Sequence, residues 1–415
     1  MPTRQDQRFR LSGTRFRLFA QPRFLEGYEE PETVWVSTPR GSVGPGPSDQ
    51  RMIVVDAVNK QPYAPDAVPI WRGERRPPVP PGPDGHFDHL DPASREFGAA
   101  HMFGVVRRVL DIWEGYLGRP ITWHFADLQP RLELIPYVEW DNAQAGFGYM
   151  ECGFAKPRAA APDGPREPFC LNFDALAHET GHLLVFALLG IPDDATLTTE
   201  YRAFHESASD LVALLSALHF DSVIDRVLNA CKGNLYLENE LNRMAELSRN
   251  EQIRLASNGH RMRDVPDPET PWDRLTQRQL HQVGEPMTGA VFDILVEIFQ
   301  EILVARGLIP RSLDDLADRA ANGTVDADSA RAGFEAAYAA DPGGFRRALV
   351  CARDLVGMRL ARTLQQVPPH NLHLADAAAR FLATDRRRSG ARFQRIIIDS
   401  FRWREIGYGY RRTAA

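Results

Sequence analysis

Lysine is nearly absent from this 415-residue chain: Lys60, Lys156 and Lys232 stand against 46 arginines. Acidic residues number 55 and basic ones 49, so neither sign dominates and the net charge is about −6. Clustered basic charge is what gives general affinity for nucleic acid or an anionic membrane surface. The chain lacks it, and neither partner is expected. Cysteine is scarce as well. Cys152, Cys170, Cys231 and Cys351 are widely spaced with no C-x-x-C pair, which excludes a disulfide framework and makes buried thiols the default. Cys152–Cys170 is the one pairing left open. No apolar run reaches the roughly 18 residues of a membrane span. Met1 to Phe24 carries six arginines but no apolar stretch of a secretory signal, so a cytoplasmic protein is expected. What is present, 43% apolar with 25% charged residues, is the balance of a globular chain long enough for two or three packed units.

Proline divides the chain unevenly, 15 of the 31 lying at or before Pro92. The run from Arg75 to Pro83 can be neither helix nor paired strand. Residues 1–90 therefore read as an irregular arm with short strands at Thr33–Ser37 and Met52–Val55. Beyond it, Met102, Val105, Val106, Val109, Ile112, Trp113 and Tyr116 follow the spacing of one helix face. Leu132–Trp140 alternates like a strand, and Pro136, lacking a backbone donor, assigns it to a sheet edge. Strongly apolar helices are expected over 172–190 and 203–219. A long one follows from about Glu285 to Val304, and the remainder is mostly helical, with Phe345–Leu364 and Leu372–Phe401 in pieces.

The informative segment is Ala177-His178-Glu179-Thr180-Gly181-His182-Leu183, an H-E-x-x-H pattern within an apolar helix. Residues four apart share a helix face, so His178 and His182 can aim both imidazoles at one metal ion. Glu179 stands beside that ion, where a carboxylate can take a proton from the attacking water. A catalytic zinc site uses three protein ligands and keeps one position open. The extended form of the motif needs Gly at 185 and His at 188, but Val185 and Leu188 stand there. The other source is a second helix, and Phe204-His205-Glu206-Ser207-Ala208-Ser209-Asp210 opens one. Glu206 can be the third ligand, and Asp210, four residues on, can hold the other ring nitrogen of His178.

With these residues the chain resembles the thermolysin-type metallopeptidases, gluzincins in which an H-E-x-x-H helix is followed by a helix bearing E-x-x-S-D. A secondary likeness is to the fungalysins. The resemblance spans roughly residues 96–305. It implies Glu206 as third zinc ligand and Asp210 as the support of His178, and Asp174 matches a further acidic position. Asn142-Ala143 resembles the family's substrate-holding edge strand, Arg254 the arginine that grips the substrate carbonyl, and His281 the histidine that stabilises the oxyanion. Tyr201 is a candidate for a second hydrogen bond to that oxyanion. The family's export signal, propeptide and acidic calcium cluster have no counterpart here. Val283-Gly284-Glu285 follows His281 where many members have Asn-Ser-Gly. Calcium is therefore not expected, and specificity should be narrow, with the proline-rich arm a candidate gate.

The expectation is a two-lobed α+β, thermolysin-like fold with one Zn2+ per chain in the cleft. Residues 1–90 form the arm and 91–200 a sheet lobe with the H-E-x-x-H helix. Residues 201–310 form a helical lobe with the third ligand and His281, and 311–415 a C-terminal helical segment. The expected activity is hydrolysis of a peptide or protein substrate, as an endopeptidase. Two alternatives stand beside it: a catalytically silent zinc-binding scaffold, and an exopeptidase or amidase. Glu179 argues against the scaffold, because a structural site has no use for a base beside the metal. Nothing in the sequence assigns an oligomeric state.

Overall fold

A 23-residue helix forms the axis of the first part of the computed structural model. The structure describes residues 4–23, 25–64, 67, 69–154, 167–237, 243–244, 254–321 and 323–407. In chain order they form α1 (Arg4–Phe9), β1 (Gly13–Leu18), β2 (Glu32–Pro39), β3 (Met52–Val54), α2 (Arg95–Leu117), β4 (Leu132–Ile135), β5 (Ala143–Gly146), β6 (Tyr149–Cys152) and α3 (Phe173–Leu188). There follow α4 (Thr199–Ala217), α5 (Asp221–Cys231), β7 (Arg243–Met244), β8 (Arg254–Leu255), α6 (Gln277–Ala305), α7 (Arg311–Ala321), α8 (Arg331–Ala340), α9 (Pro342–Leu364), α10 (Leu374–Ser389) and α11 (Gln394–Trp403). The chain is α+β and divides into two units. One holds the described residues through Gly190 with Val212–Phe220. The other holds those of Ile191–Leu211, Asp221–Met244 and Arg254 onward.

In the first unit, Ser94 caps α2 by accepting from the Phe97 amide at 3.1 Å, and Gly118, at φ 72°, ends it in the left-handed conformation. The sequence pattern implied one apolar face, but α2 is buried nearly all round, Phe103, Val106, Leu110 and Trp113 included. Its charged residues survive burial because they are paired. Arg107 meets Asp111 at 2.6 Å, and Asp111 also accepts from the Ser37 amide and hydroxyl. Antiparallel β1 and β2 lie on α2, their Phe16, Leu18, Val34 and Val36 buried. Gly104 permits this contact, since a Cβ there would stand 2.8 Å from Leu18 Cδ2. Phe87, just past the proline run, stacks on Phe16 at 5.2 Å. The N-terminal segment is thus part of this core, and its removal would strip the core rather than open a gate.

The main sheet has the order β3-β4-β6-β5, with β3, β4 and β6 parallel and β5 antiparallel at one edge. Here the expected edge position of Leu132–Trp140 is corrected. The strand stops at Ile135, so Pro136 never enters the ladder, and β4 is free to sit between two neighbours. The edge belongs instead to Ala143–Gly146, and α3 packs against it.

In the second unit α6 runs against α9 and α11, while α9 also receives α5 and α10. Thr276 and Gln279 make a capping box that starts α6 at Gln277, eight residues before the expected Glu285. Pro286 lies in the interior of α6, where it removes one backbone hydrogen bond. Gly284 presses on the Ala203 carbonyl of α4, at 2.6 Å from where a Cβ would be, and Thr288 donates to Ser207 at 2.8 Å. Among the described residues no helix is long and apolar enough to cross a membrane.

Candidate metal centre

Helix α3 begins where Asn172 accepts from the Ala175 amide at 3.1 Å, and Asp174 in the first turn complements the helix dipole. Asp174 is buried and accepts from Gln21 at 2.9 Å, so the segment before α2 helps fix the start of the metal helix. One turn on, His178 and Glu179 are buried and His182 half-buried. The two imidazoles stand nearly perpendicular, ring centres 4.5 Å apart. One ligand atom from each of His178, Glu179 and His182 lies within 4.8 Å of the others. Two converging imidazoles, with the Glu179 carboxylate beside them, suit a divalent ion of zinc type. Glu179, the residue assigned as base by its place in the motif, is thus at hand for a water on that ion.

Cys152 on β6 and Cys170 ahead of α3 are both buried, and all four cysteines are free thiols. Burial pushes the Cys170 thiol up to about 12 and the Cys152 thiol well above its usual value. Neither offers a thiolate to a metal near neutral pH. Asn142 is exposed immediately before β5, and its side-chain oxygen accepts from the Ala143 amide at 2.9 Å. Ala143 opens the edge strand, pairing with Cys152. The resemblance-derived pair therefore does sit at a sheet edge, beside the helix that carries His178 and His182.

The second unit assembles its own group. Glu206 on α4 and His281 on α6 face each other, Nδ1 to Oε2 at 3.2 Å, both largely buried. Gln277 donates to Glu206 Oε1 at 3.0 Å and lies 3.3 Å from His281 Nε2. His281, which the expected start at Glu285 left ahead of the helix, sits in the second turn of α6, aligned with Gln277 by the helix repeat. Gln277 was missed in the sequence because the helix start was placed too late, although T-x-x-Q at Thr276–Gln279 signals the true one. Tyr201 is buried in the first turn of α4, its amide bonded to the Thr198 hydroxyl at 2.9 Å, and burial holds its phenol well above the usual range. Asp210 is buried one turn beyond Glu206. Arg254 lies on β8, opposite Met244; its side chain is outside the described residues.

Neither a protein-family model nor a curated protein matches the chain. Among solved structures, the precursor of protealysin, a metalloproteinase from Serratia proteamaculans, is similar at 12% identity, with a TM-score of 0.46. The likeness covers 85% of this chain and 86% of that one.

Proposed function

We propose that the chain is a zinc-dependent peptidase, an endopeptidase of narrow specificity, with the ion held by His178, His182 and Glu206. The observation that carries this reading is the convergence of His178, Glu179 and His182 on a helix packed against an edge strand. Bound there, zinc would supply Lewis acidity and bring its water's pKa toward about 7. A peptide extends the sheet by adding along β5, with Asn142 and Ala143 as its first contacts and Arg254 as a further grip on a substrate carbonyl. Glu179 takes the proton of the attacking water and later gives it to the leaving amine. Asp210 orients His178. His281 and Tyr201 donate to the oxygen that gains charge as the carbonyl is attacked. Gln277 joins them as the side chain that holds Glu206 and His281 in place.

Mass-spectrometric cleavage of a diverse peptide library by zinc-loaded protein tests the proposal, with Glu179→Gln alongside. Wild type should cut at a restricted set of sites, with one zinc per chain. The variant should keep its zinc and lose on the order of 10²–10⁴ in rate. Silence from zinc-loaded wild type would overturn the peptidase reading in favour of a zinc-binding scaffold. Equal cutting by both would remove Glu179 as the base.

A further inference from the structure

A continuous line of aromatic rings leads from the metal helix to the tip of the edge hairpin. Phe186 lies four residues past His182 and eight past His178, hence on their face of α3 and about one turn further along. Its ring is 5.0 Å from that of His124, which is 5.2 Å from Phe147 and 5.1 Å from Phe125. Phe147 is 5.9 Å from Phe125, which is buried and stacked with buried Trp123. The strip therefore has a buried floor, a half-buried wall at Phe186 and His124, and an open rim at Phe147, which is 45% exposed.

Phe147 is also held out rigidly. It heads the two-residue turn between β5 and β6, closed by the Gly146–Tyr149 pair. The carbonyl of Gly148 accepts from Gln129 Nε2 at 2.9 Å and from the Glu133 amide at 3.0 Å. A single exposed aromatic on a protein surface is ordinary. One that is braced from below, in contact with the rings of His124 and Phe125 and placed at the end of an open strand is a built feature.

We propose that this strip is a substrate subsite for a large apolar or aromatic side chain of an extended peptide, several residues from the bond that is broken. The inference rests on the peptidase reading and adds a specificity determinant to it. A peptide paired with β5 advances about 3.3 Å per residue. From Ala143 to Phe147 is four steps, so the side chain three or four residues from the one opposite Ala143 reaches the rings. The ring faces and edges offer dispersion and edge-to-face contacts, which favour another aromatic over a small side chain. A neighbouring residue of the peptide, pointing to the opposite side of the strand, would not be read.

Matched decapeptides built around a cut found in the library, with Phe or Ala three and four residues to either side, give the test. Zinc-loaded wild type should favour Phe at one of these positions by about tenfold in kcat/KM. The ratio of the two peptides should fall to about one in Phe147→Ala and persist in Phe147→Trp. Because each ratio is taken within one variant, a smaller folded fraction does not alter it. Binding of the same peptides, fluorescently labelled, to zinc-loaded Glu179→Gln provides a readout apart from turnover and should show the same ratio and the same loss. A wild type without preference, or a preference untouched by Phe147→Ala, would overturn the subsite while leaving the peptidase intact. Were no library peptide cut, the peptidase reading would fall; Phe and Ala forms of a cut peptide that bind Glu179→Gln equally would remove the subsite alone.

Discussion

On the face of the main sheet that carries Glu133, Gln144 and Glu151, two buried carboxylates share one buried cation and several hydrogen-bond donors. Lys60 and Glu151 are fully buried, 2.6 Å apart, with the ammonium 3.4 Å from the centre of the Tyr63 ring. Glu151 also accepts from the Tyr63 amide at 2.7 Å and from Gln144 at 2.6 Å, and Glu133 from the Trp71 amide and the Tyr63 hydroxyl. In the second unit, where α6 meets α7, acids outnumber their cations. Arg404 holds Asp293 and Arg311 holds Asp314, but Glu297 and Asp318 stand in the field of further carboxylates. Gln300, with its amide nitrogen turned toward them, donates to Asp314 and Asp318 at 2.6 and 3.2 Å. Burial and these neighbours push Glu297 up to about 7 and Asp318 to about 6. Glu151 is tolerated in the first region by a counter-ion, and Glu297 and Asp318 in the second by a proton.

The largest effect should come from breaking the Lys60–Glu151 pair. Lys60→Met leaves Glu151 buried without its cation and should lower stability by about 3–5 kcal/mol. Adding Glu151→Leu should restore much of this, and a double-mutant cycle in urea would read the difference. A double mutant no more stable than Lys60→Met would refute the counter-ion account.

The acidic region predicts a dependence on pH of definite sign. An acid whose pKa is raised on folding binds its proton more tightly in the folded chain. Its stabilising contribution is complete below the unfolded value, 4.5 for a glutamate, and is lost as pH rises through the folded value near 7. Hydrogen-exchange protection of α6 and α7, corrected for intrinsic rates, should therefore fall on the order of 1–2 kcal/mol between about pH 5 and pH 8. Glu297→Gln should flatten that slope; an unchanged slope would show that Glu297 is not its source. The smallest effect is expected of Tyr236→Phe. It removes the 2.7 Å bond from the phenol to Glu297, at about 0.5–1.5 kcal/mol, and should shift the carboxyl's titration upward. A downward shift of that titration would contradict the assigned bond.

Local pattern made part of the molecule readable in advance. His178, Glu179 and His182 needed only the helix repeat, and α3 supplied it. Glu206 and His281 were named as separate residues, yet their adjacency to Gln277 depended on where α6 begins. Strand β5, with the sequence Ala-Gln-Ala-Gly, has no β-branched or aromatic residue to announce it, and only the likeness to a family's edge strand pointed there. Lys60 and Glu151 are 91 positions apart, and Phe186 and His124 are 62 apart. Contacts at such separation are set by how the elements pack, which no spacing rule encodes.

The glycine at 284 has a mechanical consequence. With no side chain between them, α4 and α6 meet backbone to backbone at Ala203, and Ser207 and Thr288 bolt the seam one turn further on. Glu206 and His281 are thereby referred to one common frame, so a tilt that carries one carries the other. Loops joining the two helices can lengthen or change over generations without altering the spacing of that pair. A methyl group at 284 would wedge the seam open and act on both residues at once.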